Sequence, residues 1–397
     1  MWRKKDNYAN EDPFRFLKAK NDGKEACDIV NNWYIARAYV MKKLKIVDCA
    51  FKPNDKSYLH VIVENDSSRM LFVVRQIALM AHFLNFREDS PKESERHRTI
   101  ITIVSKTPEI REILERDEYL CNLPKYCKYV DRDGKTDHAN SFVDIEIHIA
   151  SNVPQEKDKS EKMQYVKEAD VDEYFKQHEK SHDDESVFLI DARAAFYASK
   201  VYDIGMAYTN IPAEDIHCTK RYAMALSIFK HDILRLPPEQ LYNDVEYEKA
   251  KDGKLSISDI KKNVSNILCA DCFKMREKSM ELICNGEKPS QKTWEDNNES
   301  LSKSEHARWV VEKLILGYRP LNPEEQYHLD SLHAELNSAM KKKQFLDKLK
   351  NRDEDMAHVD LCSYSDLRRI KPEDLKYDSF LMLAIPEILK RVKEHGQ

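Results

Sequence analysis

Glycine is scarce in this chain, with seven residues among 397, at positions 23, 134, 205, 253, 286, 317 and 396. A dinucleotide-binding turn needs glycines spaced G-x-G-x-x-G, where the backbone approaches a pyrophosphate, and no two glycines here stand at that spacing. The segment after the first apolar strand reads Glu64, Asn65, Asp66, Ser67, Ser68, Arg69 instead. Ordinary NAD binding and a Walker-type phosphate loop are therefore not expected, nor is any other cofactor.

Long apolar runs are also missing. Nothing approaches the roughly 18 residues that a spanning helix requires, and Met1 to Asp6 lacks the apolar core of a signal peptide. These absences predict a cytoplasmic protein with no membrane span. Charge of one sign is not in excess either. The 65 basic and 70 acidic residues leave a formal charge of −5, which supplies no global attraction for nucleic acid. The nine cysteines are odd in number and irregularly spaced, as suits reduced thiols rather than a disulfide framework. Cys269 and Cys272 form the one C-x-x-C, without a second pair at zinc-finger spacing, and read as core residues. No H-E-x-x-H zinc pair or G-x-S-x-G elbow is present. His178 and His182 share helical i, i+4 spacing, but in a charged segment, so no metal site is assigned. Nothing marks the chain as an enzyme.

What is present is 41% apolar and 34% charged residues, a composition for a folded, helix-rich protein of two or three domains. Residues 1–49 form a polar arm and an amphipathic helix over Lys24 to Val47. Short β-branched runs at Leu59–Val63 and Thr99–Val104 predict buried strands. An apolar helix is predicted over Met70–Phe86, and another from Pro108 to about Arg116. Phe142–Ile149 alternates apolar with polar, the pattern of a half-exposed edge strand. Gln155–Asp184 is charged and reads as a solvated excursion, with a helix around Val171–Gln177. A further strand at Val187–Ile190 ends in Asp191, which either caps the next helix or faces a ligand, and helices follow at 192–208 and 220–234. Strands alternating with helices predict an α/β fold, a Rossmann-like, mostly parallel sheet over residues 50–250. Ligands of such sheets lie beyond the strand carboxyl ends, here Glu64, Asn65, Asp66, Ser105 and Asp191. The chain then turns all-helical, with a linker at 255–292 and a separate module at 293–397.

That module contains the most distinctive stretch. Glu305, His306, Arg308, Trp309, Glu312, Gly317, Tyr318 and Arg319 are followed by His358, Leu361, Tyr364, Leu367, Asp378, Ala384, Ile385 and Pro386. In order and character these residues resemble the ryanodine receptor repeat, a small helical module. Two departures stand out. Tyr318, Arg319 and Pro320 follow Gly317 where the family has a further aromatic and a glycine, and a charged insertion spans 322–357, with an apolar stripe at Leu329, Leu332, Leu336, Met340, Phe345 and Leu349. Ser265, Asn266, Ala270 and Asp271 are similar to the linker helix that precedes such repeats. Bacterial members often join the repeat to a Rossmann-like domain akin to that of potassium-transport regulators. The resemblance implies a sensor of a small nucleotide-derived ligand in bacterial stress or antiphage signalling.

Two readings of the motif residues stay open. Arg308 and Arg319 could contact phosphate, with Trp309, Tyr318 and Tyr364 stacking on a base and His306 and His358 donating or accepting. Alternatively Trp309 is core, Gly317 ends the helix, and Glu305, Arg308 and Glu312 form an ion-pair ladder. The expected ligand-binding set is His306, Arg308, Trp309, Glu312, Tyr318, Arg319, His358 and Tyr364. The competing function is a non-enzymatic scaffold in which the repeat and its insertion mediate protein association. A homo-oligomer fits either function.

Overall fold

The computed structural model describes residues 32, 35–116, 118–154, 161–179, 268–269, 271–335 and 356–394. The predicted arm, the strand at 187–190 with Asp191, the helices at 192–208 and 220–234, and His182, Ser265, Asn266, Ala270, Met340, Phe345 and Leu349 lie outside these residues.

Among the described residues six strands form one sheet: β1 (Tyr58–Val63), β2 (Thr99–Val104), β3 (Lys128–Val130), β4 (Thr136–Asp137), β5 (Ile145–Ala150) and β6 (Glu161–Val166), in the order β4-β3-β5-β2-β1-β6. All pairings are parallel except the β3–β4 hairpin. Leu59, Val61, Val63, Ile101, Ile103, Ile145 and Ile147 are buried on one face of the sheet. The parallel α/β sheet expected from the sequence is therefore present.

Helix α1 (Ser68–Met80) is buried almost end to end from Met70 onward. It stops six residues before the predicted Phe86. Beyond Met80 the residues stay buried without being helical. The Ala81 carbonyl accepts the Thr99 hydroxyl at 2.8 Å, His82 Nδ1 meets Asp144 at 2.8 Å, and Asn85 donates to the Ser57 carbonyl at 2.6 Å. The apolar run thus continues as a loop pinned at the amino ends of β1, β2 and β5. The segment from Pro108 gives only the short α2 (Ile110–Leu114), with α3 (Leu123–Tyr126) after it. Near the start of the described chain, helix gives way to a π-turn over Val40–Leu44 and stops at Lys45, whose φ of 51° is left-handed.

Two predictions are corrected. β5 is not an edge strand, because it lies between β2 and β3. Its polar residues are satisfied in place, with Glu146 taking Lys128 Nζ at 2.7 Å and His148 Nε2 at 2.5 Å. The stretch read as a solvated excursion contains β6, which with β4 is outermost among the described strands, followed by α4 (Glu168–Glu179), which contains the helix expected around Val171–Gln177. At the strand carboxyl ends the expected ligand residues bond to their own neighbours. Ser105 donates to Asp66 at 2.6 Å, Asn65 accepts the Ser67 amide at 3.0 Å, and Glu64 accepts the Glu168 amide at the start of α4 at 2.9 Å.

The C-terminal helices are α5 (Phe273–Ile283), α6 (Gln291–Asp296), α7 (Asn298–Ile315), α8 (Pro323–Glu335), α9 (Tyr364–Ile370) and α10 (Leu375–Glu394). They do not form a module with its own separate core. One continuous apolar cluster runs from Val61 in the sheet through Ile77 of α1 to Val311 of α7 and Ile385 of α10. Polar ties join the same parts, including Arg37 to Asp271 at 2.6 Å and Ser304 Oγ to the His82 carbonyl at 3.0 Å. Within the insertion, Leu329 of α8 forms a small satellite core with Val359 and Ile370. Among the described residues no helix is long and apolar enough to cross a membrane.

Candidate functional site

Helix α7 carries the motif and is buried on nearly every side, including Leu301, Glu305, Arg308, Val311, Glu312 and Ile315. A helix with apolar and charged residues both inside needs partners for its charges. They come from its own ladder and from α5. Arg308 Nε lies 3.0 Å from each Glu305 oxygen, its Nη2 lies 2.8 Å from Glu305 Oε1, and its Nη1 lies 2.6 Å from Glu312 Oε2. Arg276 Nη2 reaches Glu305 Oε2 at 2.6 Å. Arg276, Arg308 and Glu312 are each only 1% exposed.

The ionisation of this network follows from its geometry. Burial alone would raise the Glu305 carboxyl, but Arg308 and Arg276 outweigh it and hold it at about 2. Asp378 on α10 goes the other way. Burial and the nearby Glu305 carboxylate push its carboxyl well above the ordinary range, so it is kept protonated more readily than a surface aspartate. Cys269 lies beside the network, 3.5 Å from Arg276 Nη1, and Cys272 is packed near the Met80 carbonyl. Both thiols are raised by burial, which leaves them inert core residues. Among the described residues no group of three or more His, Cys, Asp or Glu could hold a metal.

The end of α7 is built with care for its carbonyls. Gly317 at φ 86° gives the left-handed turn, the Tyr318 amide bonds to the Lys313 carbonyl at 2.9 Å, and the Gly317 amide bonds to the Leu314 carbonyl at 3.0 Å. This is the paired Schellman arrangement. Asn122, from the loop before α3, completes it. Its amide donates to the Leu314 carbonyl at 3.1 Å, and its side chain donates to the Gly317 and Tyr318 carbonyls at 2.8 and 2.9 Å. Beyond the turn, Arg319 pairs by a short parallel bridge with Ala357, through its amide to the Met356 carbonyl and the His358 amide to its own carbonyl. The bridge closes the insertion and sets His358 beside the end of α7.

A cluster of rings results. Trp309 and His306 are stacked at 6.1 Å, His358 meets Trp309 edge-on at 5.0 Å and Tyr318 at 6.0 Å, and Tyr364 meets His306 at 5.7 Å. Lys313 Nζ lies 5.6 Å from the Trp309 ring centre and 5.7 Å from that of Tyr318. Trp309 and His358 are half-buried, whereas His306, Tyr318 and Tyr364 are buried. His306 is held neutral by burial. Its Nε2 donates to the Cys362 carbonyl at 2.9 Å, which fixes the tautomer. Arg319 engages Glu325 with both terminal nitrogens, at 2.8 and 3.0 Å.

Of the eight residues expected from the sequence, His306, Trp309, Tyr318, His358 and Tyr364 come together as this ring cluster. Arg319 stands at its margin in an ion pair with Glu325. Arg308 and Glu312 do not join it and lie in the interior network, so the ion-ladder reading is the one realised for them. Sequence reasoning missed Asn122, Arg276 and Glu325. Glu325 was signalled by its N-cap spacing from Asn322, whose side chain accepts the Glu325 amide at 2.8 Å; nothing local signals the other two.

Compared with protein-family models, curated proteins and solved structures, the chain gives no match.

Proposed function

We propose that this chain is a non-enzymatic sensor that binds a small nucleotide-derived ligand at the ring cluster of Trp309, Tyr318 and His358. The observation that carries the reading is a half-exposed tryptophan fixed between two histidines, with a lysine ammonium near its face. Such an arrangement suits a flat, electron-rich base, because stacking on an aromatic ring is worth about 1–3 kcal/mol per base, and a cation nearby favours an attached anion. Arg319 at the margin would exchange part of its pairing with Glu325 for a phosphate. The Arg276–Glu305–Arg308–Glu312 network then serves as the rigid support behind α7, not as a ligand contact. The likeness to the ryanodine receptor repeat, and with it a role in bacterial stress or antiphage signalling, belongs to this reading.

The test is a thermal-shift screen of cyclic and linear nucleotides on the full chain, followed by calorimetry of hits on Arg319→Gln. A stabilising hit that weakens in the variant supports the sensor. No shift across the library, together with a concentration-dependent oligomer by light scattering, supports the scaffold instead.

A further inference from the structure

A cavity lies at the opposite end of the sheet from the strand carboxyl ends. It is an open cleft of about 810 Å³, and among the described residues its wall includes the cations Lys56, Arg87, Arg98 and Lys128, His97, three glutamates, Ser94, Tyr58 and Ile100. That volume falls within the range of small-molecule sites, about 300–1,000 Å³. Its floor is the start of the sheet. Ile100 of β2 sits opposite Glu146 of β5, and Glu146 opposite Lys128 of β3, with Tyr58 on the same face of β1.

The charges divide into two groups. Glu93 is taken by Arg98 and by Lys128 at 3.3 Å, and Glu146 by Lys128 and His148. Glu95 is held by Lys92 at 3.0 Å. These carboxylates are neutralised by cations beside them. Lys56 and Arg87 are exposed and, with His97, make no ion pair among the described residues, Glu95 being the carboxylate near Arg87 and His97. Among the described residues the side-chain bond of Arg87 is a long 3.5 Å contact with the Asn54 amide oxygen. His97 Nδ1 is buried without a hydrogen-bond partner, and the residue adopts φ 53°, a conformation that few histidines take. Arg87 and Lys56 are both close enough to disfavour protonation of His97, and Glu95 alone opposes them. Three cationic or protonatable groups therefore converge on one cavity without a carboxylate bound to any of them.

We propose that this cavity binds a small phosphorylated molecule, with the phosphoryl group on Lys56, Arg87 and His97 and the body of the ligand over Tyr58 and Ile100. The site is independent of the ring cluster around Trp309 and does not rest on the function proposed above. The phosphoryl group would give the exposed Lys56 and Arg87 a shared anion in place of solvent and set a negative charge beside the His97 ring at the cavity wall. Burial, Arg87 and Lys56 keep His97 neutral when the site is empty. An anion between them would favour its protonation, so binding should be coupled to proton uptake.

The experiment is calorimetric titration of the full chain with pyrophosphate and with adenosine monophosphate at fixed ionic strength. Saturable one-to-one binding of either probe is expected, weakened about tenfold or more by Arg87→Gln and again by Lys56→Gln, as for loss of a charge-assisted hydrogen bond. Lowering the pH from 8 to 6 should tighten binding more in the wild type than in His97→Asn, asparagine being tolerant of the left-handed backbone; this difference removes the probe's own titration. Each variant is first checked for an unaltered melting curve. Absence of saturable binding by both probes, or binding that folded Arg87→Gln and Lys56→Gln chains retain in full, overturns the proposal.

Discussion

Replacing Arg308 by methionine removes one cation from an interior that holds two carboxylates beside it. Glu305 would keep Arg276 at 2.6 Å, and Glu312 would keep Lys313, whose Nζ lies 3.4 Å from its other oxygen. The four described hydrogen bonds from the guanidinium to Glu305 and Glu312 disappear, and methionine leaves their acceptors dry. Breaking a buried pair by deleting one member costs about 3–5 kcal/mol. For a folded unit of this size that lowers the melting temperature by roughly 2–4 °C per kcal/mol. Urea unfolding should show a lower midpoint with an unchanged slope, since the surface exposed on unfolding is the same. Adding Glu305→Gln and Glu312→Gln should recover part of the loss, because neutral amides do not demand a cation. A loss below about 1 kcal/mol for Arg308→Met would refute the assignment of Arg308 to a structural network and return it to the ligand-contact role the sequence also allowed.

Four further outcomes follow from the same geometry. Glu305 is held at about 2 against an ordinary 4.5, so its stabilising contribution is complete above pH 4.5 and is lost as the pH falls through about 2. The gap corresponds to on the order of 3 kcal/mol, and Glu305→Gln should flatten the acid limb of a stability–pH curve. Asp378→Asn should be neutral or stabilising at pH 7, since the carboxyl it replaces is already pushed toward its protonated form; a loss above about 2 kcal/mol in urea titration would contradict this. Gly317→Ala places a side chain at φ 86° and should cost about 1–2 kcal/mol by chemical denaturation. Asn122→Ala leaves the Gly317 and Tyr318 carbonyls without their side-chain donor, and a loss of about 1–3 kcal/mol is expected from the same assay.

The strands that were legible in the sequence are those whose own residues form a continuous β-branched, apolar run. β1 and β2 are β-branched runs in the middle of a parallel sheet, and their predicted limits lie within a residue of those observed. β6 was missed because Glu161, Lys162 and Gln164 dominate it. An edge strand gains its stability from backbone pairing on one side and leaves polar side chains free to face out. β5 was placed at the edge for a related reason. Alternation records that every second residue is polar, yet it cannot tell whether solvent or a cross-strand lysine satisfies it, and here Lys128 does. β3, at three residues, is too short to leave a pattern.

In the candidate site the local part was readable and the distant part was not. The i+3 and i+4 spacing of Glu305, Arg308 and Glu312 gave the ladder, and Gly317 gave the end of the helix. Arg276 was invisible, because it comes from a helix 29 residues earlier with no sequence link to the motif. Asn122 was equally hidden, standing 195 residues from Gly317 in the chain. Order along the sequence brought His358 and Tyr364 into the list, whereas the Arg319–Ala357 bridge that sets His358 against Trp309 closes an insertion whose length no local rule encodes.

The most direct test of the central claim is calorimetry of a stabilising nucleotide against wild type and Trp309→Leu, with both chains shown by circular dichroism to be folded. If Trp309 forms the stacking surface, the variant should bind at least about tenfold more weakly, as for the loss of one base–aromatic stack. Equal affinity in the folded variant would contradict a ligand site at the ring cluster.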